Sequence, residues 1–389
     1  MAWTAARIRA RDLGSESARR SVADLGHAMG RVLVSDLHSL VDLPPFDTSA
    51  MDGWAVLGQG PWTVVGECRA GDPPRALDQR ECVRISTGAI APAGSAVLRS
   101  EEGQELNGVV TSTHFTPAKG KDIRQRGEEV RTGERILQKG QLLTPPALGL
   151  VAAAGLDTVE VVPLPRVAVL VLGDELAHQG LPVDGHVRDA LSPQLPAWVS
   201  AMGAELVALT RVADSQTATQ RALDSADADV VITTGGTARG PADHIRNAVE
   251  AASGRWLVDG VAVRPGHPMK LAVLNGERAL VALPGNPLAA LSGLVTLAWP
   301  LLDALAGRTP RPSLQRPLVA GVDASPGAHR LVPGEMEAGA VRLTTRRGPA
   351  MLSGMATADV LAVVPPGARA EAESNVEVLA MPWGSGLLV

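Results

Sequence analysis

Aromatic residues are almost missing from this chain of 389 residues, which has seven Trp, two Phe and no Tyr. The hydrophobic cores must therefore be built mainly from Ala, Val and Leu. The chain offers no evident row of rings on which unpaired bases could stack, which argues against binding of single-stranded nucleic acid. No run of Lys or Arg occurs and the formal net charge is −5, so we expect no nucleic-acid partner of any kind.

Cysteine is equally scarce. Cys68 and Cys82 are the only two, and because their spacing fits neither a metal site nor a redox pair we interpret them as free thiols of a reducing compartment. The N-terminal residues are interrupted by arginines and contain no apolar signal-peptide core. The longest uncharged apolar stretch, 287–302, is shorter than the roughly 20 residues that a bilayer requires. We therefore expect a cytoplasmic protein with no membrane insertion, in which this stretch is a buried helix.

The length of the chain predicts several domains rather than one core. Residues 15–40 carry apolar side chains at helical spacing and predict an amphipathic helix, and 145–154 predicts another. Between them, short β-like runs broken by Gly and Pro indicate a β-rich segment. We therefore predict an elongated, mostly helical N-terminal domain of residues 1–44 and 138–163, into which a β-rich domain, 45–137, is inserted.

The second half of the chain alternates strand and helix patterns. Residues 166–172 form a continuous apolar run, which is typical of a strand buried on both faces of a parallel sheet. Further alternation up to about residue 302 predicts a doubly wound α/β domain over 164–311. An Arg- and Pro-rich stretch, 306–316, then leads to short alternating segments that predict a small β domain over 312–389.

Three loops at predicted strand ends combine glycine with polar or acidic residues. They are Gly173–Glu175, Thr233–Gly240 and Pro284–Pro287. In open α/β sheets, ligands bind at the carboxyl ends of the strands. A glycine-rich turn that opens a helix directs backbone N–H groups and the positive end of the helix dipole toward an anion. Two such turns and an acidic pair in one domain therefore predict an oxyanion site.

The most informative stretch is Pro44–Val56, which combines a diproline, two carboxylates, two hydroxyls and a glycine. We interpret it as a loop that holds carboxylates in fixed positions, the alternative being a simple turn capped by Asp47 and Asp52. The stretch resembles the signature P-x-F-D-x-S-A-M-D-G-(Y/W)-A of the MoeA/gephyrin E-domain family, the molybdopterin molybdenumtransferases.

Other segments are similar to motifs of the same family at corresponding places, and the resemblance runs from about residue 15 to the end of the chain, weakest after 312. The matching segments are Arg84–Ala89 (R-I-x-T-G-A), Ile123–Glu129 (I-R-x-x-G-E-D), Gly173–Leu176 (T-G-D-E-L), Thr234–Asp243 (S-G-G-V-S-x-G-x-x-D), Arg264–Pro268 (K-P-G-K-P) and Leu283–Pro287 (L-P-G-N-P).

The resemblance implies both a fold and an activity. The fold is a multi-domain α/β chain whose doubly wound domain binds molybdopterin. The activity is insertion of molybdate into adenylylated molybdopterin in the presence of Mg²⁺, with release of AMP. The family also implies a homodimer in which the α/β domain of one subunit and the N-terminal domains of the other share each site.

The residues of the matching motifs suit this chemistry, because Mg²⁺ prefers carboxylate oxygens and phosphates bind helix N-termini and arginine. The expected catalytic residues are Asp52, Thr87, Glu175, Asp214 and Asp243, with Thr87 as a hydroxyl partner of molybdate or the pterin. The expected metal ligands are Glu175, Asp243 and Asp52. The expected cofactor-binding residues are Gly173, Asp174, Thr234, Gly235, Gly236, Arg264, Pro284, Gly285, Asn286 and Pro287.

Several positions depart from the family pattern. Leu172 stands in place of the Thr of T-G-D-E-L, and Glu129 in place of the Asp of G-E-D. Leu191 stands where the family's G-x-I-x-D-(S/T)-N segment has Asn, and Arg264 and His267 replace both lysines of K-P-G-K-P. Leaving a ligand's polar group unmatched costs about 1–3 kcal/mol. If Leu191 faces the ligand, Leu191→Asn is expected to raise activity or pterin affinity.

These departures leave a second hypothesis open. Gephyrin shows that this fold can act as a dimeric scaffold that binds a short peptide of a partner near its C-terminal domain, and a scaffold would tolerate Leu172 and Leu191. The four acidic candidates of the site favour the enzyme, because buried carboxylates without a ligand are costly. A Rossmann-type dehydrogenase is excluded, since no G-x-G-x-x-G follows any predicted strand.

Overall fold

The computed structural model describes residues 1–16, 19–73, 75–112, 115–237, 244–275, 278–311 and 313–383. The chain divides into two compact units. The large unit consists of residues 1–21 and 162–389, and the small unit of 22–161. The four-part domain division expected from the sequence stays a prediction.

The helices of the described ranges are α1 (Trp3–Ser15), α2 (Leu25–Ala28), α3 (Pro145–Ala153), α4 (Leu195–Ala201), α5 (Gln216–Ser225), α6 (His244–Ala251), α7 (Pro287–Gly293) and α8 (Trp299–Leu305), with a π-helical turn, Leu294–Ala298, between the last two. The strands up to residue 161 are β1 (Ser21–Asp24), β2 (Leu37–His38), β3 (Thr48–Ser49), β4 (Gly53–Val56), β5 (Trp62–Cys68), β6 (Glu81–Ile85), β7 (Ala96–Arg99), β8 (Gly103–Leu106), β9 (Val109–Ser112), β10 (Ile123–Arg124), β11 (Arg135–Leu137) and β12 (Thr158–Val161).

The strands that follow are β13 (Arg166–Leu172), β14 (Leu176–Ala177), β15 (Val187–Arg188), β16 (Glu205–Val212), β17 (Val230–Thr234), β18 (Arg255–Asp259), β19 (Val263–Arg264), β20 (Lys270–Val273), β21 (Ala279–Leu283), β22 (Leu314–Pro317), β23 (Val322–Asp323), β24 (His329–Glu337), β25 (Ala340–Leu343), β26 (Val360–Val364), β27 (Arg369–Ala370) and β28 (Asn375–Ala380).

A six-stranded sheet in the order β7-β4-β6-β5-β9-β8 forms the centre of the small unit. Neighbouring residues of a strand belong to different hydrophobic clusters, Ala55 to one and Val56 to the other. This is the alternation that a strand with both faces covered requires. The short β runs predicted around residues 62–65, 82–85 and 96–98 lie inside β5, β6 and β7 and are confirmed.

The amphipathic helix predicted over residues 15–40 is wrong. This segment contains β1, the four-residue α2 and β2 instead. Gly30 has φ of +71°, a conformation that glycine adopts readily and that ends a helix. Val22 is 68% exposed although Leu33 is buried, so the apolar residues at helical spacing do not share one buried face. The helix predicted over 145–154 is confirmed as α3.

One carboxylate holds together the segments that precede and follow the six-stranded sheet in the chain. Asp42 accepts hydrogen bonds from the backbone N–H and the hydroxyl of Thr132 at 2.8 and 2.9 Å, and it pairs with the guanidinium of Arg126. The backbone N–H of Arg126 in turn donates to Asp47 at 2.8 Å. The hydrogen bonds from Thr132, followed by the one from Arg126, lower the pKa of Asp42 to about 2.

In the large unit, a six-stranded sheet has the order β16-β13-β17-β21-β20-β18. The first four strands are parallel, and β20 runs antiparallel to both of its neighbours. Val167–Leu172 are buried throughout, with Val169 and Leu170 in clusters on opposite faces. A mainly parallel, doubly wound sheet buried on both faces is therefore confirmed.

The remaining strands and one long helix complete the large unit. A second sheet has the order β19-β24-β26-β28-β22, with β25 paired to β24. Within the described part of the chain, Pro287–Leu305 is the one helix whose length and composition would allow it to cross a membrane, and 89% of its apolar window is buried inside the protein. It is a core helix, as the sequence predicts.

We expect Asp42→Asn to change how stability depends on pH. The carboxyl has a folded-state pKa of about 2, below its ordinary 3.8, so its stabilising contribution is present above about pH 4 and is lost as the pH falls through about 2. Urea unfolding of both proteins at a series of pH values measures this difference. The wild type should be the more stable near neutrality, and the two curves should converge in acid.

A difference between the two proteins that stays constant from neutral to acidic pH would contradict this assignment. Glu129→Gln is the matched control variant, because it removes one exposed negative charge from the same part of the small unit.

Candidate functional site

Loops at the carboxyl ends of β13, β17 and β21 meet at one edge of the central sheet. Gly235 donates its N–H to the carbonyl of Leu283 at 3.0 Å, and its φ is +84°. A Cβ on Gly235 would lie 2.8 Å from the carbonyl oxygen of Leu172, so only glycine fits between these strand ends. Gly285 adjoins it, since a Cβ there would lie 3.7 Å from the Cα of Gly235.

The acidic residues of the large unit lie at the same edge. Asp174 Oδ1 accepts a hydrogen bond from the N–H of Asp214 at 3.1 Å, because β13 and β16 are neighbours and their loops adjoin. The carboxylate of Glu175 lies over Gly173, where a Cβ would come within 2.8 Å of it. His244 Nε2 lies 3.8 Å from Asp214 Oδ1. Sequence reasoning missed His244, which carries no motif signal of its own.

These carboxylates are exposed, and so is Asp52 of the small unit. The argument that buried acids would be costly to a non-catalytic scaffold is therefore wrong for Asp52, Glu175 and Asp214, since these exposed carboxylates carry no burial cost. They are open to solvent and to a ligand.

Other predicted residues of this edge lie where the loops begin. Thr234 is the buried last residue of β17, and Gly236 has φ of +65°. Pro287 is the first residue of α7, a position where a proline sacrifices no hydrogen bond. Asp243 lies outside the described residues.

A cleft of about 480 Å³ adjoins the Pro284–Asn286 turn and is strongly basic. Arg264, Arg330 and Arg347 line it together with His267 and Asn286. The pairing of β19 with β24 places Arg264 directly opposite Arg330. Burial and the nearby charge of Arg347 lower the pKa of Arg330, as expected where cations crowd together.

His267 has a fixed orientation in this cleft. Its Nδ1 lies 2.7 Å from the carbonyl oxygen of Val261, and since a carbonyl only accepts, Nδ1 is the donor. This leaves Nε2 as the other polar atom of the ring. Sequence reasoning identified Arg264 and Asn286 but missed Arg330 and Arg347, which lie in the segment where the family resemblance is weakest.

Asp52 and Thr87 lie together in the small unit. Asp52 Oδ1 accepts hydrogen bonds from the N–H and the hydroxyl of Thr87 at 2.7 and 3.2 Å. The next residue, Gly53, has φ of +151°, and a Cβ there would lie 2.1 Å from the carbonyl oxygen of Leu98. The backbone beside Asp52 therefore requires glycine and holds this carboxylate at a fixed point of the loop. Glu175 and Asp214 belong to the other unit.

The interpretation of Leu191 as a ligand-facing residue is wrong. Leu191 is 5% exposed and lies in the main hydrophobic cluster of the large unit with Leu195 and Trp198. Leu172 is 4% exposed and lies in the cluster on the other face of the sheet. Both departures from the family pattern are thus core side chains.

We therefore expect Leu191→Asn to destabilise the protein by about 2–4 kcal/mol, because it removes apolar contacts and buries an amide without a partner. It should not improve ligand binding. Urea unfolding measures the first effect and pterin titration the second. Leu191→Met, which nearly conserves volume, is the control and should cost less than about 1.5 kcal/mol. Unchanged stability together with tighter pterin binding would restore the ligand-facing interpretation.

Comparison with known proteins finds two matching family regions and several similar curated proteins. Residues 4–155 match the family described as MoeA N-terminal region (domain I and II), and residues 168–304 match the probable molybdopterin binding domain. The chain is 35% identical over 304 residues to molybdopterin molybdenumtransferase 2 of Mycobacterium tuberculosis, which covers 73% of this chain and 74% of that protein. It is 33% identical over 296 residues to molybdopterin molybdenumtransferase of Haemophilus influenzae, covering 73% and 72%.

Solved structures show the same architecture. A crystal structure of the molybdopterin biosynthesis MoeA protein from Pyrococcus horikoshii superposes with a TM-score of 0.76 at 25% identity, covering 96% of this chain and 98% of that one. A second structure of the protein from that organism gives 0.77 at 22% identity, covering 98% and 100%. The expected multi-domain α/β fold class is confirmed.

Proposed function

The chain belongs to the MoeA family, and we propose that it is a molybdopterin molybdenumtransferase, which inserts molybdate into adenylylated molybdopterin and releases AMP. The observation that carries this proposal is the Pro284–Asn286 turn, which joins two kinds of surface. On one side lie the glycine loops and exposed acids of the sheet edge, and on the other the cleft of Arg264, Arg330 and Arg347. Cleavage of the phosphoanhydride bond that releases AMP needs the first surface and an oxyanion substrate needs the second.

In this proposal the glycine loops admit the pyrophosphate of the adenylate. Gly235 and Gly285 lie close together, which brings the loops after β17 and β21 side by side. The N–H of Gly235 is already donated to Leu283 and its missing side chain makes room for the carbonyl of Leu172, so Gly235 positions the loops. The N–H of Gly236 is the proposed donor to the phosphates.

The acidic loop is the proposed place for a magnesium ion, which would need further ligands from the substrate, because no group of three acidic, His or Cys side chains among the described residues is arranged to hold a metal ion. Mg²⁺ is usually held by one or two carboxylates together with phosphate oxygens and water, and Asp174 and Asp214 come together through the 3.1 Å hydrogen bond. Glu175, Asp243 and Asp52 are the proposed ligands, and Asp214 is a further acid, which lies beside Asp174. When bound, Mg²⁺ would neutralise charge on the pyrophosphate. The chain's own contribution is to hold the Asp214 loop against Asp174.

The basic cleft is the proposed place for molybdate. Guanidinium groups bind oxyanions with two parallel hydrogen bonds, and Arg264 and Arg330 lie opposite one another across paired strands. Because arginine is a cation like lysine, Arg264 keeps the positive charge of the family lysine that it replaces. His267 and Arg347 complete the cationic lining.

Release of AMP from adenylylated molybdopterin, with Mg²⁺ and molybdate present, tests the function. We expect Glu175→Ala, Asp214→Ala and Asp52→Ala each to lower the rate by at least about a hundredfold while leaving the thermal transition in place, because each removes a carboxylate that is exposed rather than part of a core. Full activity in any of them removes that residue from the site.

The cleft has its own matched pair of variants. Arg347→Ala should raise the molybdate concentration needed for half-maximal AMP release about tenfold, the effect of one charge-assisted hydrogen bond. Arg346→Ala removes the same charge from the adjacent exposed position, which does not line the cleft, and should change little. Equal effects of the two variants would argue against a molybdate site here.

We further propose that the protein is a cytoplasmic homodimer in which each site takes Glu175 from one subunit and Asp52 from the other. The support is that these two residues belong to separate compact units. Mixing the inactive Asp52→Ala and Glu175→Ala proteins and allowing subunits to exchange should restore about a quarter of wild-type activity, because half of the dimers are mixed and each of these has one intact site. No recovery, in a preparation shown to have exchanged subunits, would place both residues in the site of a single chain.

A second candidate function is a gephyrin-like dimeric scaffold that binds a short peptide. A groove of about 350 Å³ between α1, α8 and β28 favours it, with Ile8, Trp299 and Leu379 among its lining residues. Ile8 is 56% exposed, which suits an apolar contact with a peptide. If AMP is never released, peptide capture that is lost in Ile8→Glu would support the scaffold.

A further inference from the structure

A separate cavity of about 370 Å³ lies in the large unit at the edge of the central sheet opposite the acidic loops. Strand pairing places Arg255, Val273 and Ala279 in one row, and Val230, which follows Asp229, continues it. This row marks the amino ends of β17 and β21, whose carboxyl ends carry the glycine loops. Strands of this length separate the two edges by roughly 15 Å, so the cavity is not part of the site proposed for the transferase reaction.

The cavity has an excess of positive charge. The charged residues that line it are Arg9, Arg19, Arg255, Arg278, Glu16 and Asp229. The four arginines outnumber the two acids, which disfavours a metal cation and favours an anion.

The four guanidinium groups differ in how far the protein already uses them. Arg19 pairs with Asp229 at 2.8 Å. Arg278 donates to the carbonyls of Leu223 and Ala226 at 3.0 and 2.7 Å, at the end of α5. Neither Arg9 nor Arg255 makes an ion pair within the described ranges. Two guanidinium groups thus remain to meet a ligand.

The rest of the lining is mainly aliphatic. Leu13 comes from α1, Leu305 from α8 and Leu257 from β18, and each of them is partly exposed. A small inorganic anion would leave this apolar surface in contact with water. An anion with an apolar body would cover it, and the volume lies within the range usual for small-molecule sites.

We propose that this cavity binds a small organic phosphate, with the phosphate held by Arg9 and Arg255 and the apolar body placed against the leucines. A doubly charged phosphate matches two guanidinium groups, and its oxygens accept their paired N–H donors. The site is independent of the proposed transferase reaction, because it uses none of the residues assigned to that reaction.

Calorimetric titration of the full-length protein with phenyl phosphate tests the proposal, since this probe combines a phosphate with an apolar ring. Inorganic phosphate and phenol, which each lack one half of the probe, should bind at least about tenfold more weakly. Arg9→Gln and Arg255→Gln should each weaken phenyl phosphate binding about tenfold. Arg255→Lys keeps the charge but not the paired donors and should have an intermediate effect.

Two control variants separate this site from other basic surfaces. Arg221→Gln changes an exposed arginine of α5 that does not line the cavity, and Arg347→Ala changes the basic cleft at the opposite edge. Arg221→Gln should leave the titration unchanged, and Arg347→Ala should leave unchanged the binding that Arg255→Gln weakens. Undetectable binding at millimolar concentration, or binding that Arg347→Ala weakens and Arg255→Gln leaves intact, overturns the proposal whether or not the protein releases AMP.

Discussion

The site of the large unit depends on how closely three parallel strands approach one another at their carboxyl ends. Gly235 lies between β13 and β21, donates its N–H to Leu283 and leaves no room for a side chain against the carbonyl of Leu172. This one contact sets the positions of the loops that follow all three strands. Any larger residue would push the strand ends apart, and the acidic loop, the glycine turn and the turn at Gly285 would no longer share an edge.

The acids at this edge are exposed, and this affects the choice between an enzyme and a non-catalytic scaffold. Glu175 and Asp214 are open to solvent, so no desolvation cost acts on either carboxylate when substrate is absent. The presence of these acids alone is therefore no evidence for an enzyme, and only their arrangement can support one. The structure shows one part of that arrangement, the 3.1 Å hydrogen bond from the Asp214 N–H to the Asp174 carboxylate. The crowding of Arg330 with Arg347 is a separate sign of a ligand, because the charge of Asp323 offsets only part of the repulsion between these two cations and an added anion would relieve the rest.

The sequence predicted the central sheet because its strands are continuous apolar runs and its loops carry glycine at each strand end. It failed over residues 15–40, where helical spacing of apolar residues was coincidental and Gly30 adopts a left-handed conformation. It also failed at Arg330 and Arg347. Arg330 enters the cleft because β24 pairs with β19. Arg347 follows β25 in a loop whose Pro349 carbonyl accepts hydrogen bonds from the first turn of α7. Such contacts between distant segments leave no local pattern in the sequence.

The departures from the family pattern can likewise be interpreted only from the contacts that the folded chain makes. Leu172 and Leu191 are core side chains, and the role of Leu172 at the site edge belongs to its backbone carbonyl, which any residue supplies. At the positions where the backbone itself needs glycine, Gly53, Gly173 and Gly235, glycine is present. A side chain at Gly53 or Gly235 would collide with a backbone carbonyl, so the fold itself requires these glycines and their presence does not depend on a ligand. The functional argument rests on the replaced positions. Leu172 and Leu191 are core side chains, Arg264 and His267 lie in a cleft that stays cationic, and Glu129 keeps the negative charge of the acid that it replaces. This pattern fits a working site whose surroundings have been repacked.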